Sequence, residues 1–382
     1  MTTGPATTGP ATTASVPTAP TTAVVIGTGL IGTSIALALR AAGTKVWLAD
    51  TDHRAAQLAA NLGAGEPLSA DVALAEPADV AVLAMPPVLV ASSLRAAQRS
   101  GLARCYTDVA SVKQLPLRGA AELGCDLATY VPGHPMSGRE RSGPAAARAD
   151  LFAGQPWVIC PVADTAPECV EIVAGLVSAC DALLVRMSVA EHDQCVALVS
   201  HVPHLVASAM AARCAAAGER ALALAGPGLR DVTRIAAGDA DLWTEILSSN
   251  AGPVREVLLG VAEQISAAAE MLANIRAGQD DASKQLTALL ETGRDGVARI
   301  PGKQGRPAPH YAIVPVVIGD QPGELARLFA AAGVAGINIE DVRIEHSPGL
   351  PVGVAELSVR PEAAPRLAAA LAASGWPVAS PA

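Results

Sequence analysis

The chain has 382 residues, enough for two or three domains and a buried core that needs no staples. Its 27 Lys and Arg against 36 Asp and Glu leave a formal charge of −9, which excludes a broad cationic face for nucleic acid. Hydrophobic residues make up 51% but aromatics only 2%, which excludes a base-stacking platform and points to a core of Ala, Val and Leu.

Residues 1–22 are a Thr/Ala/Pro/Gly tract with a short internal repeat, expected to be a disordered tail. It has no basic start, so it does not read as an ordinary signal peptide. Residues 21–39 carry no charge and approach membrane-spanning length. Three glycines within them favour a strand and a turn instead. AVVI (23–26), KVWLAD (45–50), DVAVLAM (79–85), RCYTDV (104–109), TYVPG (129–133) and PWVICP (156–161) read as strands. Most are separated by Ala/Leu-rich helical stretches, which is the pattern of a parallel sheet covered on both faces.

From Ser188 the periodicity is helical, over 188–217, 229–236 and 239–292. Ser188 with Glu191 fits a capping box that opens the first long helix. The Ala-rich helices lack a polar outer face along much of their length, and read as a homodimer interface. Residues 299–309 are a Pro/Gly/basic linker. Beyond it the order is β-α-β-β-α-β, a ferredoxin-like unit. Seven cysteines, at 105, 125, 160, 169, 180, 195 and 214, form no C-x-x-C pair. They are expected to be free buried thiols in a reducing cytoplasm, with neither a disulfide framework nor a metal site.

Three constellations carry chemistry. The first is G-T-G-L-I-G at 27–32, placed between a strand and a helix. Gly27 permits the tight turn, Gly29 lets backbone approach a pyrophosphate, and Gly32 lets helix and strand pack closely. Leu30 and Ile31 begin the helix whose N-terminus would hold the phosphates. Asp50, at the end of the second strand, can bind a ribose 2′-hydroxyl and would repel a 2′-phosphate, so NAD is expected over NADP. Arg54 nearby is the one feature that would favour NADP.

The second constellation is His134, in Y-V-P-G-H-P-M-S-G-R-E just after a strand, with Ser111 in D-V-A-S-V-K. A histidine there can take a proton near neutral pH. Ser111 can hydrogen-bond a histidine or a substrate hydroxyl, or simply cap a helix. The third comprises S-H-V-P-H and G-P-G-L-R-D-V-T-R. Of His201 and His204, one is expected in the core and one facing the site. Arg230 and Arg234, at i and i+4, share a helical face and can each fork onto a carboxylate; a solvated charged face is the plainer alternative.

Together, VVIGTGLIGTSIALAL, DVASVK, GHPMSGRE, EHDQCVALVSHVPHLVASA and GPGLRDVTRIAAGDADLW resemble the prephenate/arogenate dehydrogenase family of tyrosine biosynthesis. The C-terminal unit resembles an ACT domain, with D-x-P-G-x-L at Asp320 and Gly323 and with Asn338 opening the next strand. The resemblance implies a cytoplasmic enzyme that oxidatively decarboxylates prephenate with NAD. Arogenate as substrate and a non-catalytic NAD and amino-acid sensor are the other readings. It implies His134 as the catalytic histidine and Ser111 as the group orienting it and the substrate hydroxyl. Arg234 and Arg230 would bind carboxylate, His204 would line the pocket, and tyrosine would act as effector through Asp320, Gly323 and Asn338. Arg230 stands where many relatives carry Lys, and Arg139 and Pro227-Gly228 also depart from the pattern; Glu140 could meet an arogenate ammonium. The expected fold class is α/β. It comprises a tail at 1–22, a Rossmann NAD-binding domain at 23–187, an all-α substrate and dimerisation domain at 188–298, a linker at 299–309 and an ACT-like α+β unit at 310–382. No nucleic acid or membrane is expected as a partner.

Overall fold

The computed structural model describes residues 18–68, 74–138, 142–300, 311–346 and 351–379. Residues 1–17 of the expected tail, 301–309 of the linker, and Arg139, Glu140 and Arg141 lie outside them. Two compact units make up the chain: one runs to Leu224 and includes Arg230–Glu263, and the other comprises Ala225–Leu229 and Gln264 onward.

The first unit opens with β1 (Thr22–Ile26), α1 (Leu30–Ala41), β2 (Lys45–Ala49), α2 (His53–Asn61), β3 (Glu66–Pro67), β4 (Ala78–Leu83), α3 (Pro87–Arg99), β5 (Ala103–Asp108), α4 (Gln114–Glu122) and β6 (Tyr130–Val131). The six strands form one parallel sheet in the order β3-β2-β1-β4-β5-β6. This is the doubly wound order of dinucleotide-binding sheets, whose ligand crevice lies where the order reverses, between β1 and β4. Central strands are buried on both faces, which is why they read as unbroken Ala/Val/Leu runs. The uncharged stretch 21–39 resolves into β1, the glycine turn and α1.

The fold starts earlier than expected. Thr21 donates through its backbone and hydroxyl to Asp79 Oδ2 at 2.9 and 2.6 Å, and Thr44 donates to the Pro20 carbonyl at 2.7 Å. Residues 18–22 therefore belong to the fold and not to the tail. The expected strand 129–133 is also corrected. The chain leaves the parallel sheet after Val131, because Pro132 has no N–H for the ladder. It then enters a second, mixed sheet of β7 (Gly133–Pro135), β8 (Pro156–Ile159) and β9 (Leu183–Arg186), with α5 (Pro167–Ala179) before the last strand. His134 is thus a strand residue in this small sheet, not a loop residue behind the large one. A further correction concerns the cysteines. Cys105 on β5 and Cys169 on α5 are joined as a disulfide, with Cα atoms 5.4 Å apart, and five others are free.

The helical segment follows as α6 (Val189–Val196), α7 (Val202–Ala215), α8 (Glu219–Leu222), α9 (Pro227–Thr233), α10 (Ala240–Ser249), α11 (Ala251–Arg276) and α12 (Asp280–Ala298). The Ser188–Glu191 capping box forms as read. Ala197–His201 winds as a π turn between α6 and α7. Pro203 explains it: lacking an N–H and crowding the carbonyl four residues back, it opens the helical ladder there. The continuous helix Val189–Ala215 is long and apolar enough to cross a membrane by length and composition. It also carries His192, Asp193, His201 and His204, all buried within the protein. In α11, Val254 is the one buried residue, while Leu259, Ile265 and Leu272 are exposed.

The second unit contains β10 (Ala312–Gly319), α13 (Glu324–Val334), β11 (Asp341–His346), β12 (Val352–Val359) and α14 (Ala364–Ala373). Its antiparallel sheet has the order β10-β12-β11. The expected last strand is reduced to one bridge, between Val378 and Val316 on β10. With that bridge the order is that of a ferredoxin-like sheet.

Candidate active site

The glycine turn is built as its spacing predicts. Gly27 has φ +98°, and a Cβ there would lie 2.1 Å from the Ala84 carbonyl oxygen. A Cβ on Gly32 would lie 1.9 Å from the Gly27 oxygen, so only glycine lets α1 sit this close. Gly29 instead faces open space. It is the N-cap of α1, and no side chain caps the helix. The free N–H groups of the first turn, at Leu30 to Gly32, therefore suit an anion. Asp50 Oδ2 accepts from the Thr28 backbone at 2.6 Å and its hydroxyl at 2.8 Å, and Oδ1 accepts from Asp52 N at 2.9 Å. Burial alone would raise the Asp50 carboxyl, but these bonds outweigh it and hold the pKa below the usual range. Asp50 thus braces the turn while carrying a full negative charge beside it.

His134 sits half-buried on β7, and its Nδ1 lies 2.9 Å from His192 Nε2. His192 Nδ1 lies 2.8 Å from Asp193 Oδ1. Asp193 also accepts from the backbones of Lys113 at 2.8 Å and Gln114 at 2.9 Å. His192 is 0% and Asp193 1% exposed, so the chain of groups behind His134 is sealed from water. Removal from water, and then the neighbouring His192, Lys113 and His201, push the His134 pKa well below 6.5. Burial alone would raise Asp193, but hydrogen bonds from His192, Gln114 and Lys113 bring it below the usual carboxylate range.

A second buried cluster holds the strand that carries His134. Lys113 Nζ donates to Asp108 Oδ1 and to the Gly133 carbonyl. Tyr130 donates to Asp108 Oδ2 at 2.7 Å, and Gly133 N donates to the same oxygen at 3.3 Å. Ser111, two residues before Lys113, makes no hydrogen bond to His134. The ring contact of His134 is with His192.

The third constellation forms a cavity of about 660 Å³ within the first unit. Its lining includes Arg234, His204, Ser200, Asp239 and Trp243. Gly138, four residues after His134, lines it too, so the segment carrying His134 runs to its edge. His204 stacks on Trp243 with ring centroids 3.6 Å apart, and its Nδ1 is buried with no hydrogen-bond partner among the described residues. His201 is the core member of the pair: it is 2% exposed, and its Nδ1 lies 3.2 Å from Asn250 Nδ2. Burial pushes its pKa down to about 4. Arg230 is not among the lining residues. The α-helix gives way to a 3-10 turn at Arg234, so the two arginines do not stay on one α-helical face.

In the second unit, Asp320 and Gly323 line a cavity of about 330 Å³ at the β10–α13 turn. Asn338 lines a different one, with Arg360 and Arg366, and donates to Glu340 at 2.8 Å. The three expected effector residues are therefore divided between two places.

His192, Asp193 and Trp243 were not singled out as site residues from sequence. The adjacent His-Asp pair at the start of a long helix was the signal available. Its target, His134, is 58 residues away and only the fold brings it near.

Two family models match the chain. One described as prephenate dehydrogenase, nucleotide-binding domain, matches residues 35–186, and one described as prephenate dehydrogenase, dimerization domain, matches 188–291. A probable prephenate dehydrogenase of Streptomyces niveus is 39% identical over 367 residues, covering 94% of this chain and 99% of that one. The crystal structure of Synechocystis arogenate dehydrogenase aligns with a TM-score of 0.63 at 26% identity, over 72% of this chain and 98% of that one. A prephenate dehydrogenase of Aquifex aeolicus, solved with hydroxyphenyl propionate and NAD+, shares the fold with a TM-score of 0.62 at 24% identity, over the same shares of the two chains.

Proposed function

The chain belongs to the prephenate dehydrogenase family, and we propose that it oxidatively decarboxylates prephenate to 4-hydroxyphenylpyruvate with NAD. The observation that carries this reading is the cavity of about 660 Å³ lined by Arg234, His204 and Ser200. That size suits a small ligand, and a cationic and two polar side chains converge on it.

The residues present fit the dinucleotide. The open position at Gly29 and the uncapped first turn of α1 would take its pyrophosphate, and the Asp50 carboxylate suits an unmodified ribose. NAD+ held there would supply a hydride acceptor for the ring carbon bearing the hydroxyl. The remaining work falls to the protein. His134 accepts a hydrogen bond from that hydroxyl, and its depressed pKa keeps it unprotonated for this at neutral pH. Ser111 helps to place the same hydroxyl. Arg234 holds a substrate carboxylate through a charge-assisted fork, with Arg230 adding positive potential nearby. The bond from the ring to its carboxylate breaks, carbon dioxide leaves, and the electron pair restores an aromatic ring. Aromatisation provides driving force, so positioning is the main task.

A second reading takes arogenate, which carries an ammonium in place of the keto group. The Synechocystis relative and the carboxylate of Asp239 at the cavity favour it. Asp239 already accepts from Leu242 N at 2.9 Å as a helix cap, which leaves it less free for an ammonium. The exposed apolar residues of α11 and the dimerisation match support a homodimer. The enzyme is a soluble one of the cytoplasm in this reading. Tyrosine acts as effector at the cavity beside Asp320 and Gly323, with Asn338 at the second hollow of the same unit.

The test is His134→Asn. It should lose turnover while NAD binding, read by titration, is kept; retained turnover removes His134 from its role. Tyrosine titrated into the full chain and into Asp320→Ala should inhibit only the former; equal responses remove the effector site.

A further inference from the structure

A histidine that must accept a proton has to present a bare nitrogen, and which nitrogen is bare is set by the bond the other one makes. The groups behind His134 determine this. Asp193 is anionic and already accepts two backbone N–H bonds, from Lys113 and Gln114. It has only acceptor atoms to offer His192, whose Nδ1 lies 2.8 Å away and therefore carries the proton. With its single hydrogen placed on Nδ1, the His192 ring offers Nε2 as an acceptor. His134 Nδ1, 2.9 Å from it, must donate. That leaves the hydrogen of His134 on Nδ1 and none on Nε2.

We propose that Asp193 and His192 are positioning residues that set the tautomer of His134, leaving its Nε2 as the bare nitrogen that meets the substrate hydroxyl. Two further groups hold the pair in place. Asn250 Nδ2 donates to the Asp193 carbonyl at 2.8 Å, and α6 begins at the Ser188–Glu191 box four residues before His192. The arrangement has the logic of a catalytic triad with a second imidazole inserted: a buried carboxylate orients one histidine, which orients the next. The charged or titratable groups around it include Lys113 and Asp108 from the β5–α4 side, Tyr130 from β6, Cys160 just after β8, and Glu191 and His201 from the helix itself.

The kinetic part rests on the dehydrogenase reading, and the spectroscopic part does not. The 15N shifts of the seven histidines of the full chain, with His134 assigned by its loss in His134→Gln, report which ring nitrogen carries hydrogen. His134 should show a protonated Nδ1 and a bare Nε2 without any substrate. Asp193→Asn should shift that balance and lower kcat by roughly 100-fold or more with KM little changed, as removal of the orienting carboxylate does in triads. His192→Gln keeps a carbonyl acceptor for His134 Nδ1 and should retain at least tenfold more kcat than His192→Leu. A protonated Nε2 on His134 in the wild-type protein overturns the proposal, because His192 would then be the donor. Equal kcat for His192→Gln and His192→Leu overturns it too, by reducing His192 to packing. If the wild-type protein turns over neither prephenate nor arogenate, the functional reading falls, and the nitrogen shifts still decide the tautomer.

Discussion

Replacing Lys113 with Met should cost the first unit much of its stability. Lys113 and Asp108 are both 0% exposed, and among the described residues the ammonium meets Asp108 and the Gly133 carbonyl. Removing one partner of a buried pair costs about 3–5 kcal/mol, because the other charge stays buried. The Gly133 carbonyl also loses its donor, which adds roughly 1–3 kcal/mol. Against this, Asp108 keeps the Tyr130 hydroxyl and the N–H groups of Ala110 and Gly133, and Met fills most of the vacated volume. The net loss is therefore about 3–4 kcal/mol, a large share of the ~5–15 kcal/mol that holds a domain folded. At roughly 2–4 °C per kcal/mol for a unit of this size, the melting temperature should fall by about 10 °C. Urea and thermal unfolding at fixed protein concentration measure this. The exposed pair of Arg148 and Asp150 is the control, and Arg148→Met should leave the midpoint unchanged. A loss below about 1 kcal/mol for Lys113→Met would refute the reasoning, since it would put the buried pair on the level of a surface one.

Three further outcomes follow from the site. Gly29→Ala adds a methyl into open space, so it should weaken NAD binding without lowering the melting temperature, whereas Gly32→Ala should lower both; thermal shift with and without NAD separates them. Arg234→Gln removes a charge-assisted fork of about 1.5–3 kcal/mol and should lower kcat/KM for prephenate by roughly 10–100-fold, chiefly through KM. A base with a depressed pKa stays neutral as pH falls, so the acid limb of kcat/KM should bend below pH 6.5; a bend at or above 6.5 removes His134 as the titrating group.

Much of this fold is legible because its signals are local. The glycine spacing, the apolar strand runs and the Ser188–Glu191 cap each depend on a few adjacent residues. The corrections come where the deciding partner is distant. Pro132 moves His134 from a loop into a second sheet, because its missing N–H ends one ladder and lets another begin. Cys105 and Cys169 meet because α5 packs on β5, across 64 residues with no motif. His192 and Asp193 gain their role only when α6 comes to lie against β7. Arg230 leaves the cavity because the helix tightens at Arg234, a change that i, i+4 spacing does not foresee.

The central claim is tested most directly by NADH or NADPH formation on the purified protein, with prephenate and arogenate each offered with NAD and with NADP. The account predicts turnover of prephenate with NAD, abolished in His134→Asn. No turnover of either substrate with either cofactor would contradict it.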